Sequence, residues 1–138
     1  MQTLAYPVLI EEAAPADFVA TFPDIPEAIT GGESREQALL LAEDALAVAI
    51  ERYLNLGRPV PTVGEHPGLQ LVPLDPRLGA RVLLTRAMAE QGLTKVALAT
   101  RMRVDEKAVR LILSGRKVSL DRTLDALRAL GVRPALAV

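Results

Sequence analysis

The stretch that decides the fold runs Thr94-Lys95-Val96-Ala97-Leu98-Ala99-Thr100-Arg101-Met102-Arg103-Val104-Asp105-Glu106-Lys107-Ala108-Val109-Arg110-Leu111-Ile112-Leu113-Ser114-Gly115. Thr94 and Asp105 stand where a side-chain oxygen caps a helix start, and Gly115 stands where a helix stops. The spacing predicts one helix from Thr94 to about Met102 and another from Asp105 to Ser114, joined by a tight turn. Leu98, Ala99, Val104, Val109 and Ile112 fall where a helix-turn-helix needs apolar side chains. Ala99 is small enough for the two helices to cross closely, and Val104 plugs the turn. On the second helix Val109, Ile112 and Leu113 point inward. Glu106, Lys107, Arg110 and Ser114 are left on the outer face, the division a recognition helix needs to reach base edges in the major groove.

Outward from this pair, Asp75-Pro76 opens a helix that runs to Gln91 and stops at Gly92. Ser119 opens a further helix to Leu130, stopped at Gly131, with Leu120, Leu124, Leu127 and Leu130 as one apolar stripe closing the bundle. Pro134–Val138 reads as a strand or a tail. Toward the N-terminus the period changes. Tyr6–Ile10 and the alternating Asp17–Phe22 read as strands joined by a polar connection over Glu11–Ala16, and Ala28–Thr30 as a third strand before a Gly31-Gly32 turn. Ser34 and Gln37 form a capping box for a helix carrying Leu39, Ala42, Leu46, Ala49 and Tyr53 on one face and closed by Gly57. Leu40, Leu41, Ala47 and Val48 lie outside that stripe, as a second buried face or as a product of alanine-rich composition. A Pro/Gly-rich loop over 57–68 holds His66, read as a solvated loop residue, and Leu69–Leu74 reads as a last strand. The expected fold is α+β: a small α/β domain over 1–74, then an all-α helix-turn-helix domain over 75–138.

Charge follows the same division. Among 138 residues the formal net charge is −1, yet residues 1–74 carry 11 acidic and 3 basic residues while 75–138 carry 13 basic and 6 acidic. An acidic module joined to a basic one makes the latter a candidate for nucleic acid. All aromatic residues (Tyr6, Phe18, Phe22, Tyr53) lie in the acidic half, so the basic half has no platform for stacking single-stranded bases, and a duplex is the better ligand. The chain has no cysteine and one histidine, which removes disulfides, thiolate zinc sites, cysteine nucleophiles and multi-histidine metal centres. No stretch approaches the roughly 20 apolar residues of a membrane span, and no signal peptide is visible, so a soluble cytoplasmic protein without a membrane partner is expected.

Residues 94–115 resemble the helix-turn-helix of the phage-repressor and Cro family. The resemblance implies phosphate contacts from Thr94 and Lys95 and base reading by Glu106, Lys107 and Arg110. A carboxylate at Glu106 can accept from cytosine N4. Arg116 and Lys117 supply further cations for phosphates. Two positions depart from the pattern. Arg103 stands where the turn usually has glycine and must accept a left-handed backbone, and Leu111 replaces an often basic residue.

Thr21-Phe22-Pro23-Asp24-Ile25-Pro26, then Ser34-Arg35-Glu36-Gln37-Ala38-Leu39, resemble the N-terminal domain of HicB antitoxins. Leu71-Val72-Pro73-Leu74 followed by Val104–Arg110 resembles the helix-turn-helix version of that family, so the likeness spans nearly the whole chain. It departs in the first hairpin, where Glu11–Ala16 replaces a glycine-containing turn. The resemblance implies a partial ribonuclease-H-like N-terminal fold, a small RNA-cleaving HicA-like toxin as partner, and repression of the protein's own operon. Glu11, Glu12, Asp17, Asp24 and Glu33 are carboxylates at expected strand ends and turns, and neither catalysis, metal nor cofactor is expected of them. The partners expected are the toxin, duplex operator DNA and further copies of the chain, as a homodimer or a tetramer. The alternative is a stand-alone regulator whose first domain senses a ligand or dimerises.

Overall fold

The computed structural model describes residues 4–115 and 119–133. The chain divides into two compact units, Met1–Asp75 and Pro76–Val138. The first is a four-stranded sheet with one long helix, and the second is helical, so the fold is α+β with a helical C-terminal region.

In the first unit β1 (Ala5–Ala14), β2 (Asp17–Thr21), β3 (Ile29–Gly32) and β4 (Gln70–Pro73) form an antiparallel sheet in the order β3-β2-β1-β4. Helix α1 (Arg35–Asn55) buries Ala38, Ala42, Leu46, Ala49, Ile50 and Tyr53. These recur every three or four residues because that spacing returns a helix to one face. The N-terminal cap forms as the sequence predicts: Ser34 Oγ accepts from the Gln37 N–H at 3.1 Å. Gln37 Oε1 reaches back to the N–H of Glu33, one residue before the cap, at 2.6 Å.

Two local expectations change. The first strand does not end at Ile10; β1 continues through the polar Glu11–Ala14, and the hairpin connection shrinks to Pro15-Ala16. The extension has no buried side chains, but its backbone pairs with β2 (Glu11 with Val19, Glu12 with Phe18) through a bulge before Ala14. The third strand starts one residue later than expected and does not stop at Thr30: it spans Ile29–Gly32 and takes in both glycines. A Cβ on Gly32 would lie 2.7 Å from the backbone nitrogen of Ala38. The missing side chain is what lets β3 approach the first turn of α1. Of the two readings left open for the outer face of α1, no burial is seen among the described residues: Leu40 is 65% and Val48 67% exposed.

His66 is also less free than a solvated loop residue. Its Nε2 lies 3.0 Å from Asp24 Oδ1, while the Gly64 N–H donates to Asp24 Oδ2 at 3.0 Å. The same loop buries Val60, and Pro61 O accepts from Tyr6 Oη at 2.7 Å. Burial pushes the Asp24 carboxyl up, but the His66 hydrogen bond, the Gly64 N–H and the charge of His66 outweigh it and hold it below its ordinary value. A carboxylate whose folded pKa is depressed stabilises the fold above its unfolded value and loses that contribution as pH falls through the folded one. Asp24→Asn is therefore expected to be less stable than the natural chain near neutrality. The difference should shrink as pH falls through the depressed folded value, where the natural carboxyl is also protonated. Urea titrations across that range test it.

The second unit contains α2 (Pro76–Gln91), α3 (Lys95–Met102), α4 (Glu106–Ser114) and α5 (Leu120–Ala129). Their core gathers Leu84, Leu98, Val109, Ile112, Ala126 and Leu127. The expected leucine stripe packs on this core, with Leu127 and Leu130 buried and Leu120 and Leu124 half-buried, and the sequence reading missed Thr123 and Ala126, which are buried beside it. The narrower Thr123 and Ala126 admit closer approach of neighbouring helices than two leucines would. Pro134–Val138 lies outside the described residues.

Candidate nucleic-acid interface

Helices α3 and α4 are set by side-chain caps. Thr94 Oγ1 accepts from the Ala97 N–H at 3.1 Å, and Asp105 Oδ1 from the Ala108 N–H at 2.8 Å. Each cap satisfies a first-turn donor that no helical carbonyl can reach. Between the helices the chain turns in three residues. Arg103 sits at φ 59, ψ 44, the left-handed conformation its place in the turn requires. The Val104 N–H then closes onto Ala99 O at 3.0 Å, and the Val104 side chain packs against the helical core. Leu98 and Ala99 are buried, as the crossing demands.

Because Arg103 is exposed and carries the strain of a left-handed residue, Arg103→Gly is expected to stabilise the unit. The strain is about 1–2 kcal/mol, and glycine's greater unfolded-state entropy returns about 0.4–1 kcal/mol of it. A net gain of up to about 1.6 kcal/mol should appear in denaturant titrations.

Helix α4 divides as the sequence predicts, with Val109 and Ile112 buried and Lys107, Arg110 and Ser114 exposed. Leu113 is half-buried against the core, and Leu111 is 46% exposed where a cation is often found in such helices. Glu106 and Arg110 are brought together: Arg110 Nη2 donates to Glu106 Oε1 at 2.7 Å, one helical turn apart. Spacing i,i+4 with the acid first is the better orientation for such a pair. Thr94 and Lys95 are exposed at the start of α3, with the threonine oxygen already engaged as cap. Arg116 and Lys117 lie outside the described residues.

One residue that sequence reasoning passed over is Arg81 on α2. It is buried, and its Nε and Nη2 both donate to Leu113 O, at 3.2 and 2.9 Å. A cation there meets the negative end of the α4 dipole and a carbonyl left without a helical partner. Gly115 follows at φ 68, and a Cβ on it would come within 2.8 Å of Arg81 Nη1. The helix-ending glycine was legible in the sequence, but nothing pointed to the arginine that occupies the space beside it.

In the first unit the carboxylates do not converge. Glu11, Glu12, Asp17 and Glu33 are exposed, and Asp24 is held by His66 and Gly64. Among the described residues no three histidine or carboxylate side chains are grouped to hold a metal. Tyr53 Oη donates to Glu27 at 2.5 Å, with the Arg58 guanidinium 4.9 Å from the Tyr53 ring centre. No helix among the described residues is long and apolar enough to cross a membrane.

Residues 5–68 match the family described as HicB-like antitoxin of bacterial toxin–antitoxin systems. Antitoxin HicB 1 of Photorhabdus laumondii is 32% identical over 139 residues, covering 100% of this chain and 89% of its own length. The chain belongs to the HicB antitoxin family. Antitoxin HicB 2 of the same organism is 34% identical, over 94% of this chain and 93% of its own. Antitoxin HicB of Escherichia coli K12 is 30% identical, over 98% of this chain and 99% of its own. The family match covers β1 to β3, α1 and most of the following loop, whereas the likeness to these HicB antitoxins continues through the helical unit. Membership of this family makes the chain the antitoxin component of a toxin–antitoxin system.

Proposed function

We propose that residues 1–74 neutralise a HicA-like RNA-cleaving toxin, and that residues 75–138 repress the operon by binding duplex operator DNA. The observation that carries the DNA-binding half is the outer face of α4, where Lys107 and Arg110 stand exposed over buried Val109 and Ile112. Those two side chains read base edges. Thr94, Lys95, Arg116 and Lys117 hold phosphates, and Glu106 belongs to the same face. The acidic excess of residues 1–74 supports the other half. A toxin that cleaves RNA is basic around its active site, and an acidic partner is drawn to that surface and covers it. In this reading the protein works in the cytoplasm, as a homo-oligomer, without enzymatic activity or cofactor.

One recognition helix reads too few base pairs for tight binding, and paired half-sites lie about 34–36 Å apart. The test combines two measurements on the full chain: co-purification with the product of the neighbouring gene, and gel shift of the DNA upstream of the pair. Capture of a small basic toxin together with a specific shift supports both tasks. Operator binding with no toxic neighbour captured replaces this reading with that of a stand-alone regulator.

A further inference from the structure

On α1, Leu40, Asp44, Val48, Arg52 and the capping residue Leu56 follow one another at intervals of four, a row that turns about 40° around the helix at each step. Residues at that interval form a continuous ridge along a helix. The three apolar members are open to solvent, Leu40 at 65%, Val48 at 67% and Leu56 at 58%. Asp44 and Arg52 are exposed as well. Within the described residues neither of these two side chains has a hydrogen bond or an ion pair, and Arg52 exerts only a through-space pull on Glu27. They cannot pair with each other, because eight residues of helix separate them by about 12 Å.

The ridge is symmetric in its chemistry about Val48. A leucine lies at each end, and one acid and one base lie four residues to either side of the centre. We propose that this face of α1 is a two-fold interface with a second copy of the chain, the helices antiparallel and the axis passing at Val48. A two-fold contact brings residue i of one copy to residue j of the other and j to i. Antiparallel ridges then place Asp44 of each copy against Arg52 of the other, so both unpaired charges find partners twice over. The same arrangement covers Val48 with Val48, while Leu40 and Leu56 flank the contact about 80° around the helix to either side.

This inference rests on the reading of the protein as a homo-oligomer and supplies the surface for it. Sedimentation of the full chain at micromolar concentration is the test, with circular dichroism showing that each variant is folded. Val48→Asp buries a charge at the axis and is expected to halve the assembled mass. Asp44→Arg and Arg52→Asp, each placing like charges opposite one another twice, should raise the dissociation constant about tenfold or more. The double variant Asp44→Arg, Arg52→Asp restores complementarity and should return the constant to within about threefold of the natural chain. A natural chain that sediments as a monomer overturns both the oligomer reading and this interface. An oligomer whose mass is unchanged in Val48→Asp, or whose charge swap gives no rescue, overturns the interface alone. So does a Val48→Asp variant that keeps its mass and loses toxin capture, since the face would then belong to the toxin.

Discussion

Arg110→Ala is expected to lower operator affinity by about 1–3 kcal/mol, roughly 5- to 150-fold, and to relax selectivity at one base pair. The size is that of a lost bidentate contact to a guanine edge, the contact proposed for the exposed Arg110 guanidinium. Lys117→Ala is expected to behave differently. Losing one phosphate contact weakens all sequences alike and lowers the salt slope by about one unit. The hydrogen bond from Arg110 to Glu106 adds a further expectation, because it ties the two side chains into one unit. If Glu106 acts by orienting Arg110, the cost of Glu106→Ala disappears in the Arg110→Ala background. If it reads its own cytosine, the two costs add and fall on different base pairs. Operator titrations with single-base variants separate these outcomes. An Arg110→Ala variant that binds the operator as tightly as the natural chain removes α4 from its assigned role.

The Lys107→Ala, Arg110→Ala double variant should still protect cells from the co-expressed toxin while the operon escapes repression. Complete loss of repression without loss of protection is expected because the proposed function gives the two tasks to different residues of opposite charge balance. The first unit also has its own core, with Tyr6, Phe22, Ile25, Leu46, Ile50 and Val72 almost wholly buried. A chain ending near Asp75 should therefore bind the toxin, less tightly if oligomerisation contributes avidity. Charge steering should make the association rate fall as salt rises, with a buried apolar anchor blunting the effect on the complex itself. Toxin release by the double variant would show that the helical unit takes part in neutralisation.

What was legible in the sequence differs between the two units. In the helical unit, helix limits follow from bonds between near neighbours. Thr94, Asp105 and Ser119 each accept from an N–H three residues on, so cap and helix start are written in the same short stretch. The left-handed Arg103 was expected only from the resemblance to the phage-repressor turn, where glycine usually stands. The outer face of α4 followed from helical period. Its pairing of Glu106 with Arg110 joins two residues the sequence assigned separately to bases.

Tertiary structure decided what depends on distant partners. The sheet carried β1 four residues past its last buried side chain, because backbone pairing with β2 requires no apolar pattern. It also drew Gly31 and Gly32 into β3, where contact with α1 leaves no room for a Cβ on Gly32. Asp24 and His66 are 42 residues apart, and Arg81 and Leu113 are 32 apart. Short-range propensity has no information about groups so far apart in the chain, since only the packed fold makes them neighbours. By itself, then, the sequence determined the helix boundaries, the division of charge and the face of α4, all of which follow from local hydrogen bonding and helical period. Strand length, the burial of Arg81, the hold of Asp24 on the proline-rich loop and the exposure of the outer ridge of α1 were decided only when the chain closed on itself.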